Sequence, residues 1–154
     1  MPADKELVDA AMDGLVDLMK NILQRPSVDV NYRDNDDHGR TAMHWAALHD
    51  DTQVLDILLN NNAEVNPRDN EGNTSLILAV TADGTGVAQT LLSLTNVEVN
   101  AKNNYGRTPL MEAAGKSGDY EMVKQLLKHQ RTEINLQDNE GSTSLILAIY
   151  PHNE

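Results

Sequence analysis

Two strings of carboxylate and imidazole groups, Asp36-Asp37-His38 and His49-Asp50-Asp51, carry residue types that ligate a divalent metal or pass a proton. Metal chemistry needs such groups at spacings that converge, as in the H-E-x-x-H pair that a helix puts on one face, and neither string has that spacing. Gly84-Thr85-Gly86 has two glycines of a phosphate-cradling loop, but no third glycine and no lysine beside it. No G-x-S-x-G turn that would raise a nucleophilic serine occurs. Acidic, turn-rich segments generate strings of this kind without a site. The expectation is a non-catalytic chain with no catalytic residue, no metal site and no cofactor.

The elements that would position any site are repeated. Gly39-Arg40-Thr41, Gly72-Asn73-Thr74, Gly106-Arg107-Thr108 and Gly141-Ser142-Thr143 recur at intervals of 33, 34 and 35 residues, a period that marks a solenoid of stacked units. A short helix is predicted after each, with Met43, Ala46 and Ala47, then Leu76, Ala79 and Val80, then Leu110, Ala113 and Ala114, then Leu145, Ala148 and Ile149 on one face. The Thr before each helix can cap its free amides, and Pro109 occupies a first helical position, where a missing donor costs nothing. Second helices are predicted around Leu58-Leu59, Leu91-Leu92 and Leu126-Leu127, with each Leu pair expected to supply inter-repeat cohesion. Polar segments running from Asn66, Asn100 and Asn135 to the next Gly are expected to project as hairpin loops.

Composition bounds the partners. The 154 residues are 40% hydrophobic but only 3% aromatic, with one Trp, no Phe and no Cys, so the core must be aliphatic and neither a disulfide framework nor a thiolate site exists. No apolar run approaches the roughly 18 residues of a membrane span, and the N-terminus has no basic, apolar leader. The expected location is therefore intracellular, cytoplasmic or nuclear, and the expected state is a monomer. A net charge of −12 argues against nucleic acid or an anionic membrane as partner and suits a basic protein or peptide.

The motifs then become specific. Asp36-Asp37-His38-Gly39-Arg40-Thr41-Ala42-Met43-His44-Trp45-Ala46-Ala47 and Asn103-Asn104-Tyr105-Gly106-Arg107-Thr108-Pro109-Leu110-Met111-Glu112-Ala113-Ala114 resemble the ankyrin-repeat pattern D-x-x-G-x-T-P-L-H-x-A-A. The resemblance covers nearly the whole chain. It implies an all-α fold with short β-hairpin loops, an ankyrin-repeat solenoid of helix-turn-helix units, read as one domain over residues 1–154. The units run about 4–35, 36–68, 69–102 and 103–137, with a partial unit at 138–154.

Departures from the pattern are local. Only His44 keeps the family's helix-capping His; Ile77, Met111 and Ile146 replace it and are expected to lose a hydrogen bond. The Gly after the second helix is replaced by Asn62, which tolerates a left-handed backbone, and by Thr95, which does not, so the third turn should be irregular. One extra residue lies between Leu92 and Val99, one in the same turn of the fourth unit, and one between Ala113 and Leu126. The first hairpin is longer by two residues and is expected to protrude. The last unit breaks off at Pro151 after one apolar helix, leaving an outer face without a successor.

Ankyrin arrays resemble a cupped hand, which implies binding on the concave side by hairpin fingers and the first helices. On this chain the finger candidates are Asp37, His38, Arg40, Asn70, Glu71, Asn73, Asn104, Tyr105 and Arg107, followed by Asn139, Glu140 and Ser142. The palm candidates are Trp45, Leu78, Glu112 and Leu147, with His49 one helical turn beyond Trp45. Trp45 is expected to be an exposed anchor, with Tyr105 and Arg107 as a second pair. The implied function is a protein-protein interaction module. The alternative is a scaffold segment of a longer protein, packed on a catalytic or channel domain and without a ligand of its own.

Overall fold

The computed structural model describes residues 3–116 and 120–150. First helices α1 (Ala3–Met12), α3 (Ala42–Leu48), α5 (Ser75–Thr81), α7 (Pro109–Gly115) and α9 (Ser144–Ile149) alternate with second helices α2 (Val16–Leu23), α4 (Thr52–Asn60), α6 (Thr85–Ser93) and α8 (Tyr120–Lys128). Each first helix packs on the next, α1 on α3 through to α7 on α9, while α2, α4, α6 and α8 form the second row. The fold is the ankyrin-type stack of helix-turn-helix units. Pro151 and the stretch 117–119, on which part of the fourth unit's extra length falls, lie outside the described residues.

Alanines make the stack close. Ala46, Ala47 and Ala79 are fully buried and Ala113 nearly so, because each first helix is pressed between two others and a longer side chain would hold them apart. Of each Leu pair on the second helices only the first member is deeply buried: Leu58, Leu91 and Leu126 are covered, Leu59 and Leu92 are half-buried, and Leu127 is exposed. Within the pair the first Leu therefore contributes most, about 1.5–3 kcal/mol, beside the buried Val54, Leu55, Val87, Ala88 and Met122 of the same row.

The Thr caps form, with variations at His44 and Met111. Thr74, Thr108 and Thr143 accept from the amides of Ile77, Met111 and Ile146 through Oγ1. In the second unit the His44 ring caps instead, its Nδ1 accepting from the Thr41 amide at 3.0 Å while Nε2 faces the carbonyls of Pro67 and Asn73. The expected loss at Met111 is incomplete, since its sulfur accepts from the Thr108 amide at 3.4 Å; Ile77 and Ile146 have no acceptor to offer.

The fingers are turns without strands. Among the described residues the hairpins contribute only an isolated antiparallel bridge, Asp34 to Arg40. Each finger is built on a buried Asp or Asn: Asp69 Oδ1 accepts from the amides of Glu71 and Asn73, Asn103 repeats this with Tyr105 and Arg107, and Asp138 with Glu140 and Ser142. In the first finger that role belongs to Asp34, not to Asp36 of the D-x-x-G match. Asp34 is buried, donates its amide to the Arg40 carbonyl and accepts from the Gly39 amide. The two extra residues therefore lie inside the turn, between Asp34 and Gly39, where residues 35, 36 and 38 are exposed. A hydrogen bond from Lys5 of α1 holds the Asp34 carboxyl below the usual carboxylate range.

The turns after the second helices follow their residues. Asn62 takes the left-handed conformation at φ 60°, whereas α6 ends with Leu94 extended at φ −79°, ψ 138°, as a turn without Gly or Asn requires.

Candidate protein-binding face

Two carboxylates of the second string, Asp50 and Asp51, have structural roles. Asp51 caps α4, its Oδ1 accepting from the amides of Gln53 and Val54. Asp50 reaches across to the next unit, where its oxygens accept from Val87 at 2.7 Å and Gly86 at 3.2 Å. The start of α6 does bind an anion, as a Gly-rich helix N-terminus favours, and that anion is the carboxylate of Asp50. Gly84 eases this approach: a Cβ there would sit tightly, 3.1 Å from the Ala47 carbonyl oxygen and 3.2 Å from that of Ala79. Among the described residues no three His, Asp or Glu side chains converge on a metal position.

Eight of the predicted residues, Glu140 among them, line one groove. Arg40, Glu71, Asn73, Leu78, Tyr105, Arg107 and Glu112 surround a concave cavity of about 710 Å³, together with Leu48, Thr81, Asn103 and Glu140. Leu48 and Thr81 each stand three residues beyond a predicted palm residue, Trp45 and Leu78, so the helical period was the signal for them. Finger residues enter from the side of the buried Asp or Asn, and first-helix residues form the floor.

The side chains differ in how free they are. Asn73 is buried, and its amide donates to Asp69 and to Glu71 while its oxygen accepts from Asn103 Nδ2 at 3.1 Å. Asn103 also donates to Glu112 Oε1 at 3.0 Å. A line of amides thus joins two carboxylates, Glu71 and Glu112, across neighbouring fingers. Leu78 is buried, at 5% exposure, and supplies floor, not contact at the rim. Tyr105, 61% exposed, is the open apolar surface of the groove. Arg107 Nε lies 3.7 Å from the nearly covered Asp138 carboxylate.

Trp45 is half-buried against the core and stands behind the groove, which corrects the expectation of an exposed anchor. The Arg40 guanidinium lies over its ring at 5.1 Å, and the His49 ring packs at 5.5 Å, tilted 48°. Trp45 therefore sets the position of Arg40, which faces the groove.

Asp37, His38, Asn70 and Asn104 do not enter the groove. Asp37 and His38 belong to the enlarged first turn, with His38 at φ 52°. Asn70 donates its amide to the His38 carbonyl, Asn104 to that of Glu71 and Asn139 to that of Tyr105. The side chains of Asn104 and Asn139 then donate to the carbonyls of Asn70 and Asn104 at 3.0 and 2.8 Å. These asparagines form a ladder that ties fingertip to fingertip. A second ladder runs beneath, in which Asn31, Asn66 and Asn100 accept from the amides of Glu64, Glu98 and Glu133 of the following unit. They secure the neighbour's turn and not their own.

Among the described residues no helix is long and apolar enough to cross a membrane. The repeat geometry agrees with comparisons against known proteins. A family model described as ankyrin repeats in three copies matches residues 7–103 and 93–154. The putative ankyrin repeat protein FPV031 of fowlpox virus is 30% identical over 152 residues, 96% of this chain and 44% of the viral protein. Tyrosine-protein kinase Shark of Drosophila melanogaster is 38% identical over 97 residues, 63% of this chain and 10% of the kinase. Palmitoyltransferase akr1 of Schizosaccharomyces pombe is 40% identical over 57 residues, 37% of this chain and 9% of that enzyme. The chain spans less than half the length of each of these relatives, so the activities in their names do not pass to it. With its stacked helix pairs, buried finger anchors and a family match over almost its entire length, this chain belongs to the ankyrin-repeat family.

Proposed function

We propose that this chain is a non-catalytic protein-interaction module, a single ankyrin array that takes a basic protein or peptide segment in its concave groove. The observation that carries the reading is the content of that groove: three carboxylates, Glu71, Glu112 and Glu140, an open aromatic ring at Tyr105 and an aliphatic floor at Leu48 and Leu78. Its two guanidinium groups are already engaged, Arg40 on Trp45 and Arg107 with Asp138. A Lys or Arg side chain stacked on Tyr105 would meet two carboxylates, Glu71 and Glu112, that hydrogen bonds from Asn73 and Asn103 already hold in place, so little order is lost on binding.

Selection of peptides on the immobilised chain, followed by calorimetric titration, tests this. Selected sequences should be rich in Lys and Arg, and Tyr105→Ala should weaken them by about 2 kcal/mol, near thirtyfold. Selected peptides without basic residues, bound equally by Tyr105→Ala and by Glu71→Lys, would remove the groove from the reading.

A second reading, a scaffold packed on another domain of a longer polypeptide, is favoured by one feature: α9 exposes Leu145, Ile146 and Ile149. Any residues that follow in a parent polypeptide should then raise the urea midpoint when appended, and an unchanged midpoint would count against it.

A further inference from the structure

The turns after α6 and α8 each carry one residue more than the standard unit, and the concave groove uses neither. They lie side by side at the outer edge of the stack. Two hollows of about 490 and 520 Å³ open there, and they share Leu92, Ser93, Lys128 and His129, so they are one continuous groove between α6 and the end of α8. Its floor is aliphatic: Leu92 and Leu94 are half-buried, and Leu94 is there because the irregular turn leaves α6 in an extended conformation.

The rim has the opposite charge to the chain. Lys128 and Arg131 are exposed, and among the described residues neither is in an ion pair. One carboxylate, Glu121, lines the groove and pairs with Lys124 at 3.6 Å, while outside the lining Glu98 pairs with Arg68 at 3.4 Å and Glu133 accepts from the Asn100 side-chain amide at 3.3 Å. A chain of net charge −12 thus carries a cationic rim over a leucine floor.

We infer that this outer groove is a second docking site, taking an acidic peptide segment of another protein, with an apolar side chain on Leu92 and Leu94 and flanking carboxylates at Lys128 and Arg131. Charge complementarity selects the acidic segment, and the floor selects an apolar residue within it. A short segment feels mainly charges within a Debye length of about 8 Å, whereas a bilayer or nucleic acid presents many anions at once to the negative field of the whole molecule.

The probe is a fluorescein-labelled peptide with Leu between pairs of Glu, followed by anisotropy, beside a partner peptide with Lys in place of Glu. Wild type should bind the acidic peptide, more weakly at about 1 M salt than at 0.15 M. The Lys128→Glu/Arg131→Glu variant should lose about tenfold or more, and Lys128→Gln/Arg131→Gln a smaller share. Both sites are exposed, and unchanged circular dichroism confirms folding. Tyr105→Ala should leave acidic-peptide binding intact, which separates this site from the concave one. The assignment is overturned if the acidic peptide fails to bind, or if charge reversal leaves its affinity unchanged. It is also overturned if the same reversal instead abolishes binding to phosphatidylserine vesicles or dissolves a self-associated species in sedimentation.

Discussion

Residues 70–79 and 139–148 are the same ten residues apart from Asn73 and Ser142, yet they meet opposite surroundings. Their local structure is shared: Asp69 and Asp138 close the finger with the same pair of bonds, at 3.0 and 2.8 Å in both. Thr74 and Thr143 cap their helices at the same 3.4 Å. Burial is shared at Leu78 and Leu147 but not at the positions that face the next unit. Leu76 is 1% exposed and Leu145 69%; Ile77 is fully covered and Ile146 is not. Turn and cap are properties of the decapeptide, whereas the hydrophobic contribution is a property of the neighbour that covers it.

That contrast can be broken most sharply by truncation. Leu76→Ala should cost about 2–5 kcal/mol, as buried Leu deletions do, and Leu145→Ala less than about 0.5 kcal/mol, read as urea midpoints. Similar losses would mean that α9 is covered in solution. Overpacking is the next test. Ala79→Leu, like Ala113→Leu at the equivalent place, should cost about 1–3 kcal/mol, while Ala148→Leu, on the exposed helix, should leave the midpoint nearly unmoved.

A third pair concerns the finger glycines. Gly72 and Gly141 both have positive φ, at 75° and 82°, so Ala at either site costs about 1–2 kcal/mol. A Cβ on Gly72 would also lie 2.5 Å from Asn104 Oδ1, whereas one on Gly141 meets nothing within 4 Å. Gly72→Ala should therefore be the more destabilising; equal costs would show that Asn104 yields.

The smallest effect is in pH. Burial pushes His44 below its ordinary value of 6.5, so the native state binds fewer protons than the unfolded one as pH falls below that value. Stability present at neutral pH is then lost on acidification. His44→Ile, which installs the residue found at positions 77 and 146, should reduce the drop in urea midpoint between about pH 7.5 and pH 5. An identical drop would mean that other groups account for the acid sensitivity.

The fold was legible because period, Thr caps and small residues are local signals, and each has its counterpart in the stack. The groove was legible in part, since finger and palm positions follow from register. What was hidden depends on contacts outside the local motif. Asp36 fits D-x-x-G by coincidence, and only counting forward from Asn31, as Asn66 leads to Asp69, points to Asp34. Nothing within residues 50–51 indicates that Asp50 caps a helix that begins at Thr85. Asn73 is buried under Asn103 of the next unit as well as against Asp69 of its own, and Trp45 is half-covered by Arg40 of its own finger and by the core it packs on.

The row of asparagine bonds joining fingertips has a practical consequence for redesign. Grafting a foreign loop onto the finger of Asn104 would cut the links to its neighbours on both sides, so one exchanged loop loosens three. New recognition sequences are better moved in adjacent blocks that carry their own cross-links.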